Sequence, residues 1–255
     1  MTTEFDAVIV CNGHFSAPFI PHAVPGLSGY VGVSMHSIRY DSLKSDPTLL
    51  AGKRVLVVGG KSSATDMARE ILLSGVAEEV RISDRNLDSS FGIVYPGGAV
   101  TSVDSARSIK RDGYVFHPSI RCITEGSRTI TFVDGATADI DVILWCTGYL
   151  YDFPFLPTRS GGDEDECLAE ELEGADHPGF GIRLEGGGKR LHGLHLKLIH
   201  QEEPTMAFIG LPFSVVPFPL FYFQARLLAA LYKVRRTVLF RRPILPNLLY
   251  PMLID

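Results

Sequence analysis

The sequence predicts an α/β fold built around a three-layer domain of the Rossmann type. The main observation is the order strand, glycine turn, helix and strand between Arg54 and Ser83, because about thirty residues is the length of a βαβ unit. Further short apolar runs follow this unit and supply more strands for a sheet. The chain has 255 residues, of which 45% are hydrophobic and 21% are charged, as expected for a globular chain.

The βαβ unit is defined by local patterns. A strand is predicted at Arg54–Val58, and the residues of Ser62–Ser74 carry apolar or small side chains at the i, i+3, i+4 spacing of a packed helix. Gly75 is expected to end that helix. A second strand is predicted at Glu79–Ser83.

The remaining elements are shorter and less regular. The apolar run FDAVIVC ends at Asn12-Gly13 and predicts a strand and a turn, whereas Val31–Ser45 is mixed and is interpreted as a loop. The acidic stretch Asp163–Asp176 is expected to be solvated. A helix is predicted at Pro219–Val234. Further strands are predicted at Phe5–Cys11, Ser119–Thr124, Thr129–Val133, Val142–Cys146 and Met206–Gly210.

One uncharged segment is long enough to be considered as a membrane span. Met206–Phe223 holds 18 residues without a charge, near the lower limit for a membrane span. Three prolines, Pro212, Pro217 and Pro219, interrupt it, and each removes a backbone donor from a helix. We therefore expect no membrane span.

Charge and cysteine usage exclude several classes of function. The net charge of −5 gives no electrostatic reason to expect nucleic acid as a partner. The four cysteines, Cys11, Cys122, Cys146 and Cys167, lie far apart without a C-x-x-C pair, so we expect neither a disulfide framework nor a metal site. The N-terminal MTTEFDAVIV lacks the pattern of a signal peptide. These features predict a cytoplasmic location.

The turn after Val58 is the candidate cofactor site. It reads GGKSSA, which is Gly59, Gly60, Lys61, Ser62, Ser63 and Ala64. A dinucleotide turn needs a tight bend, close backbone approach to the pyrophosphate and a helix N-terminus aimed at the phosphates. Lys61 replaces the usual second glycine but brings positive charge, and Gly60 supplies backbone freedom. The alternative is a strand-to-helix turn that binds nothing.

The residues after the second strand bear on the choice of nucleotide. Asp84 and Arg85 follow Ser83. An acidic residue there favours the free ribose of NAD, and an arginine favours the 2′-phosphate of NADP. The interpretation leans to Arg85 and NADP, with the alternative that both side chains only face solvent.

Five segments in a fixed order carry a resemblance to a known family. They are CNGHFSAPFIP (Cys11–Pro21), YVGVSMHSIRY (Tyr30–Tyr40), VLVVGGKSSATDMA (Val55–Ala68), DVILWCTGYLYDFPFL (Asp141–Leu156) and PTMAFIGLPFSVVPFPLFYFQAR (Pro204–Arg226). The second matches the signature F-x-G-x-x-x-H-x-x-x-[YF], with tyrosine in place of the first phenylalanine. The chain resembles the flavin-containing monooxygenases, a class B flavoprotein family, in their fungal or yeast-like form.

The resemblance implies a fold, two cofactors and a reaction. It implies an NADP-binding Rossmann domain, residues 51–139, inserted into a partial FAD/NAD(P)-binding domain formed by residues 1–50 and 140–255. NADP and FAD would be the cofactors, and a soft nitrogen or sulfur of a small molecule would receive one oxygen atom. Thr147 and Gly148 would lie near the cofactor, unless they form a plain strand-ending turn, and His36 would be structural. Asn12 matches the linker motif, and no catalytic residue is assigned.

The resemblance also implies alternatives. We expect the chain to lack the family's N-terminal FAD-binding segment, so it could be a non-catalytic NADP-binding fragment that cannot hold FAD. Such a fragment would expose a sheet edge and require a partner or associate with itself. A disulfide oxidoreductase-like flavoprotein is a further alternative, although the cysteines lack its dithiol pattern.

Overall fold

A computed structural model describes residues 5–41, 48–85, 109–111, 114–156, 159–160 and 182–238. The chain forms two compact units. The inserted unit is Pro18–Gly148, and the outer unit combines Met1–Ala17 with Tyr149–Asp255. The predicted NADP domain, residues 51–139, falls inside the inserted unit, and its boundaries stay a prediction.

In the residues that the structure describes, the secondary structure consists mainly of short strands and two α-helices. The helices are α1 (Ser62–Ser74) and α2 (Pro217–Val238). The strands are β1 (Val8–Val10), β2 (Ala17–Pro18), β3 (Val33–His36), β4 (Arg54–Val58), β5 (Glu79–Ser83), β6 (Ile109–Arg111), β7 (Tyr114–His117), β8 (Ile120–Ile123), β9 (Thr129–Phe132), β10 (Thr137–Asp139), β11 (Val142–Trp145), β12 (Tyr149–Leu150), β13 (Arg159–Ser160), β14 (Arg183–Glu185), β15 (Arg190–His192), β16 (Leu194–His195), β17 (Ile199–His200) and β18 (Met206–Phe208).

The inserted unit is centred on a six-stranded sheet in the order β3-β11-β4-β5-β7-β6. All neighbours in this sheet are parallel except β6, which runs antiparallel to β7. α1 connects β4 to the parallel β5, so these three elements form the predicted βαβ unit. A second, antiparallel sheet has the order β10-β9-β8.

Two apolar cores make the inserted unit three layers thick. One core lies between the parallel sheet and α1, where Val55 and Val57 of β4 meet Met67 and Ile71 of α1. The other core joins the opposite face of the sheet, including Trp145, to the antiparallel sheet. Alternate residues of β4 and β11 thus enter different cores, which explains why these strands are apolar on both faces. The predicted three-layer α/β fold is confirmed.

The outer unit contains a four-stranded sheet in the order β1-β18-β17-β16 and a three-stranded sheet in the order β13-β14-β15. β1 is parallel to β18, and the other pairs in its sheet are antiparallel. Leu228 of α2 packs on Ile199 and Ala207 of this sheet. A second core contains Val10, Phe208 and aromatic residues that follow β12.

The structure confirms the predicted βαβ elements with the predicted bounds and corrects others. The prediction of a loop over Val31–Ser45 was wrong, because Val33–His36 forms β3 and pairs with β11. The C-terminal helix begins at Pro217, before the predicted start, because proline is tolerated in a first helical turn. The acidic stretch Asp163–Asp176 and the tail from Phe240 lie outside the described residues.

Within the described part of the chain, neither helix combines the length and apolar character that crossing a bilayer requires.

Candidate functional site

Three parallel strands of the inserted unit end at the same edge of their sheet. The register aligns Val58, the last residue of β4, with Ser83 of β5 on one side and Trp145 of β11 on the other. The turn that opens α1, the pair after β5 and the segment after β11 therefore lie side by side. In open α/β sheets, ligands bind at this carboxyl edge, where connections leave in opposite directions.

Gly59 makes the bend at the end of β4. Its φ is +134°, and a Cβ placed there would lie 2.5 Å from the carbonyl oxygen of Cys146. The Gly59 amide donates to the Ser83 carbonyl oxygen at 2.9 Å. Glycine is therefore required at this position by backbone conformation and by close approach to the end of β11.

Gly60 lies against the acidic side chain that follows β5. A Cβ at Gly60 would lie 1.7 Å from Oδ2 of Asp84, so the carboxylate occupies the space that a side chain would need. The Asp84 amide donates to the carbonyl oxygen of His117 at 3.1 Å, which fixes the strand end. Arg85, the residue that the sequence favoured for binding the 2′-phosphate of NADP, follows Asp84 and is exposed. Local sequence patterns alone do not predict that Asp84 faces the turn.

The start of α1 presents its polar groups to solvent. Lys61 is the N-cap residue in an extended conformation and makes no side-chain capping bond. Lys61, Ser62 and Ser63 are exposed, whereas Ala64 is fully buried in the core. The first amides of a helix lack intrahelical acceptors and carry partial positive charge. This turn therefore has the donors that a pyrophosphate requires.

Thr147 and Gly148 use their polar groups inside the unit. The Thr147 hydroxyl donates to the carbonyl oxygen of Phe19, and the Phe19 amide donates to the Gly148 carbonyl oxygen at 3.0 Å. Gly148 has a φ of +83°. These bonds explain the two residues structurally, and their predicted role in cofactor binding stays a prediction.

His36 holds the same segment. Its Nε2 lies 2.9 Å from the Gly148 carbonyl oxygen, and its Nδ1 accepts from the amide of Ile38 at 3.2 Å. These partners require a neutral ring protonated on Nε2. Burial lowers the pKa of His36, and the Gly148 carbonyl offsets part of that effect. The structural role predicted for this residue agrees with these contacts.

An ion-pair network fixes the opposite end of β4. The Asp141 carboxylate accepts from the Arg54 amide at 2.9 Å, from Arg54 Nε at 3.0 Å and from Arg128 at 2.8 Å. The hydrogen bonds from Arg54 hold the pKa of Asp141 well below its usual value. The network holds β4 beside β11, which positions the turn at the other end of the strand.

A buried histidine supports the end of β5. The ring of His117 stacks on Phe132 with centroids 3.8 Å apart, and Arg81 lies 2.9 Å from Nε2. Burial, followed by the charge of Arg81, lowers the pKa of His117 to about 4. The neutral ring therefore accepts a hydrogen bond from Arg81 at neutral pH.

No group of metal-ligating side chains is assembled among the residues that the structure describes.

The family model and the curated relatives agree on one family. A family model described as flavin-binding monooxygenase-like matches residues 2–103. Flavin-containing monooxygenase FMO GS-OX-like 4 of Arabidopsis thaliana is 31% identical over 91% of this chain and 42% of its own length. The chain thus spans about two fifths of the length of the curated relatives that it matches.

Two solved structures are similar over most of the chain. S-allyl-L-cysteine S-oxygenase from Allium sativum aligns with a TM-score of 0.59 and 25% identity, over 91% of this chain and 48% of its own. Tmm from Pelagibacter sp. strain HTCC7211 aligns with a TM-score of 0.60 and 25% identity, over 91% of this chain and 42% of its own.

Proposed function

Because this chain belongs to the flavin-containing monooxygenase family, we propose that the carboxyl edge of its inserted unit binds NADPH for an FAD-dependent monooxygenase. The observation that carries the proposal is the exposed start of α1, where Lys61, Ser62 and Ser63 surround amides that no side chain of the N-cap residue engages. The family uses FAD and NADP, so a dinucleotide is the expected ligand of this turn.

Different residues in and near the turn would bind different parts of the nucleotide. The pyrophosphate would lie on the helix amides from Ser62 to Ala64, with the hydroxyls and Lys61 as further donors. Arg85 would form an ion pair with the 2′-phosphate. The carboxylate of Asp84, which contacts Gly60, would repel that phosphate. When bound, NADPH supplies a hydride and the flavin supplies the oxygen chemistry.

The substrate class follows from the relatives. We propose that a small molecule with a soft nitrogen or sulfur nucleophile receives the oxygen atom. A similar solved structure is named an S-allyl-L-cysteine S-oxygenase, which supports sulfur as the acceptor. In this family the protein contributes binding and orientation of the nucleotide, and this chain would contribute them through the turn and its support by Asp141 and His117.

The decisive experiment is a titration of the purified chain with NADPH and, separately, with NADH. We expect saturable NADPH binding, because cofactor recognition needs only the turn. Arg85→Ala should raise the Kd for NADPH by about tenfold to a hundredfold, since a charge-assisted bond to phosphate is worth about 1.5–3 kcal/mol. It should leave the Kd for NADH unchanged. Asp84→Ala, the matched control, should tighten NADPH binding.

Binding of neither nucleotide at millimolar concentration would refute the proposal. Equal effects of Arg85→Ala on both nucleotides would refute only the assignment of the 2′-phosphate.

A non-catalytic NADP-binding protein is the second candidate function. Added FAD separates the two candidates, because a catalytic chain should retain stoichiometric flavin absorbance after gel filtration. No observation favours the disulfide oxidoreductase. Burial raises the pKa of the Cys146 thiol to about 12, so this cysteine does not supply a thiolate at neutral pH.

A further inference from the structure

β3 stands at one end of the six-stranded sheet of the inserted unit and has an open edge. Among the residues that the structure describes, it pairs only with β11. The Val33 amide donates to the Asp141 carbonyl oxygen at 2.9 Å, so Val33 uses its backbone groups on the side of β11. In a parallel ladder the next residue points its amide and carbonyl the other way. The backbone of Ser34 therefore faces the open edge.

The side chain of Ser34 fixes the orientation of β3. The indole Nε1 of Trp145 donates to the Ser34 hydroxyl at 2.8 Å, and Trp145 belongs to the core between the parallel and antiparallel sheets. Because consecutive residues of a strand point to opposite faces, Val33 and Met35 lie on the other face. Met35 packs there against the core that contains α1. β3 therefore presents one polar and two apolar side chains in a fixed arrangement.

The open edge is apolar and carries no charged side chain. Val31 is 56% exposed and Val33 is 41% exposed, and residues 28–38 include no lysine, arginine, aspartate or glutamate. The strand at the other end of the same sheet, β6, carries Lys110 and Arg111. Charged residues, lysine above all, protect the open edges of sheets from pairing with other chains. β6 has this protection and β3 lacks it.

We propose that β3 pairs with β3 of a second copy of this chain, in the antiparallel direction and about a twofold axis at Ser34. In this arrangement the Ser34 amide of each copy donates to the Ser34 carbonyl oxygen of the other. Val33 then lies opposite Met35 of the second copy, which gives two apolar cross-strand pairs. The two six-stranded sheets become one continuous sheet.

A second copy fits this edge better than a different polypeptide. A twofold axis pairs an edge strand with itself in the antiparallel direction. The sequence Val33-Ser34-Met35 suits its own reverse, because the small polar residue lies on the axis and each apolar residue meets an apolar one. Two copies that each carry a net charge of −5 repel each other, so contact is favoured where both surfaces are uncharged.

The inference does not depend on the proposed binding of NADPH. None of the three residues that pair across the axis belongs to the turn that opens α1. Dimer formation and nucleotide binding are therefore separate results, and either can fail without the other.

The first test is sedimentation equilibrium of the full chain over a range of concentrations. We expect a monomer–dimer equilibrium. Hydrogen exchange at the Ser34 amide should be at least about tenfold slower in the dimer than after dilution to the monomer, because that amide gains a partner.

Charge reversal at Val33 tests the contact. Val33→Lys and Val33→Glu should each raise the Kd of the dimer at least about tenfold, because like charges then lie diagonally across the axis. An equimolar mixture of the two variants should restore the dimer, which a folding defect would not allow. Leu73→Lys, which changes an exposed apolar residue of α1, should have no effect. The fluorescence of Trp145 reports whether each variant is folded.

Cysteine cross-linking tests the register. The parent for this experiment is Cys11→Ser, which removes an exposed thiol. In that parent, a mixture of Val33→Cys and Met35→Cys should form an intermolecular disulfide on oxidation, because these positions face each other at close range. Val33→Cys alone should form at least about tenfold less, and the parent sets the background.

Four results would overturn the proposal. Two are a chain that stays monomeric at millimolar concentration and a dimer that Val33→Lys leaves intact. The third is cross-linking through Val33→Cys alone that equals the cross-linking of the mixture. The fourth is protection of the Ser34 amide that persists on dilution, because another part of the same chain would then cover this edge.

Discussion

β11 of the inserted unit and β1 of the outer unit have nearly the same sequence character but different surroundings. β11 reads VILW, pairs with β3 and β4, and is buried at all four positions. β1 reads VIV, pairs on one edge, and exposes two of its three side chains. Both are short, apolar and parallel. The environment of a strand is therefore set by its neighbours and not by its own composition.

Histidines show the same difference between the units. His117 of the inserted unit is buried with Arg81 beside its Nε2 and Phe132 under its ring. His14 of the outer unit is buried without a hydrogen bond of acceptable geometry at either nitrogen. Of these two histidines, the one with a polar partner of acceptable geometry lies in the unit whose parallel sheet is covered on both faces.

Truncating one isoleucine in each strand should give the largest contrast. Ile143→Ala in β11 should lower the free energy of unfolding by about 4 kcal/mol, because a fully buried side chain leaves a cavity. Ile9→Ala in β1 should cost less than about 1 kcal/mol, since that side chain is nearly half exposed. Urea denaturation followed by the fluorescence of Trp145 reports the inserted unit, and hydrogen exchange reports the outer one. Equal costs would contradict the comparison.

The second largest contrast should be in the stability cost of alanine substitutions at the two glycines of the turn. Gly59→Ala should cost about 3 kcal/mol, because φ is positive and the new Cβ would meet the carbonyl oxygen of Cys146. Gly60→Ala should cost less than about 1 kcal/mol, since the obstacle is the movable carboxylate of Asp84. Asp84→Ala should remove most of that smaller cost. The same denaturation assay measures all three, and a larger cost at Gly60 than at Gly59 would contradict the geometry.

Acid should destabilise the inserted unit through His117. Its folded pKa of about 4 lies below the unfolded value of about 6.5, so the unfolded chain binds more protons between these values. Stability should fall by about 3 kcal/mol as the pH drops through that window, since each pKa unit is worth about 1.4 kcal/mol. His117→Gln should flatten the pH dependence of unfolding seen by Trp145 fluorescence, whereas His22→Gln, at an exposed position, should not. If the unfolding free energy of His117→Gln changed with pH as steeply as that of the unsubstituted chain, His117 would not be the group responsible.

The sequence predicted the elements that depend on local chemistry. The bounds of α1 follow from its apolar spacing and from Gly75, which ends the helix in a left-handed conformation with φ of 65°. β3 was missed because four mixed residues become a strand only through pairing with β11. The position of Asp84 over Gly60 depends on the register between β4 and β5, which local patterns do not define.

The two units are nested along the chain, and this order has a consequence during synthesis on the ribosome. β3 finds its partner when Val142–Trp145 emerges, whereas β1, made earlier, finds its partner only when Met206–Phe208 appears. The inserted unit can therefore fold while β1 still lacks its partner β18. Chaperones that recognise extended apolar segments would meet β1 during that interval.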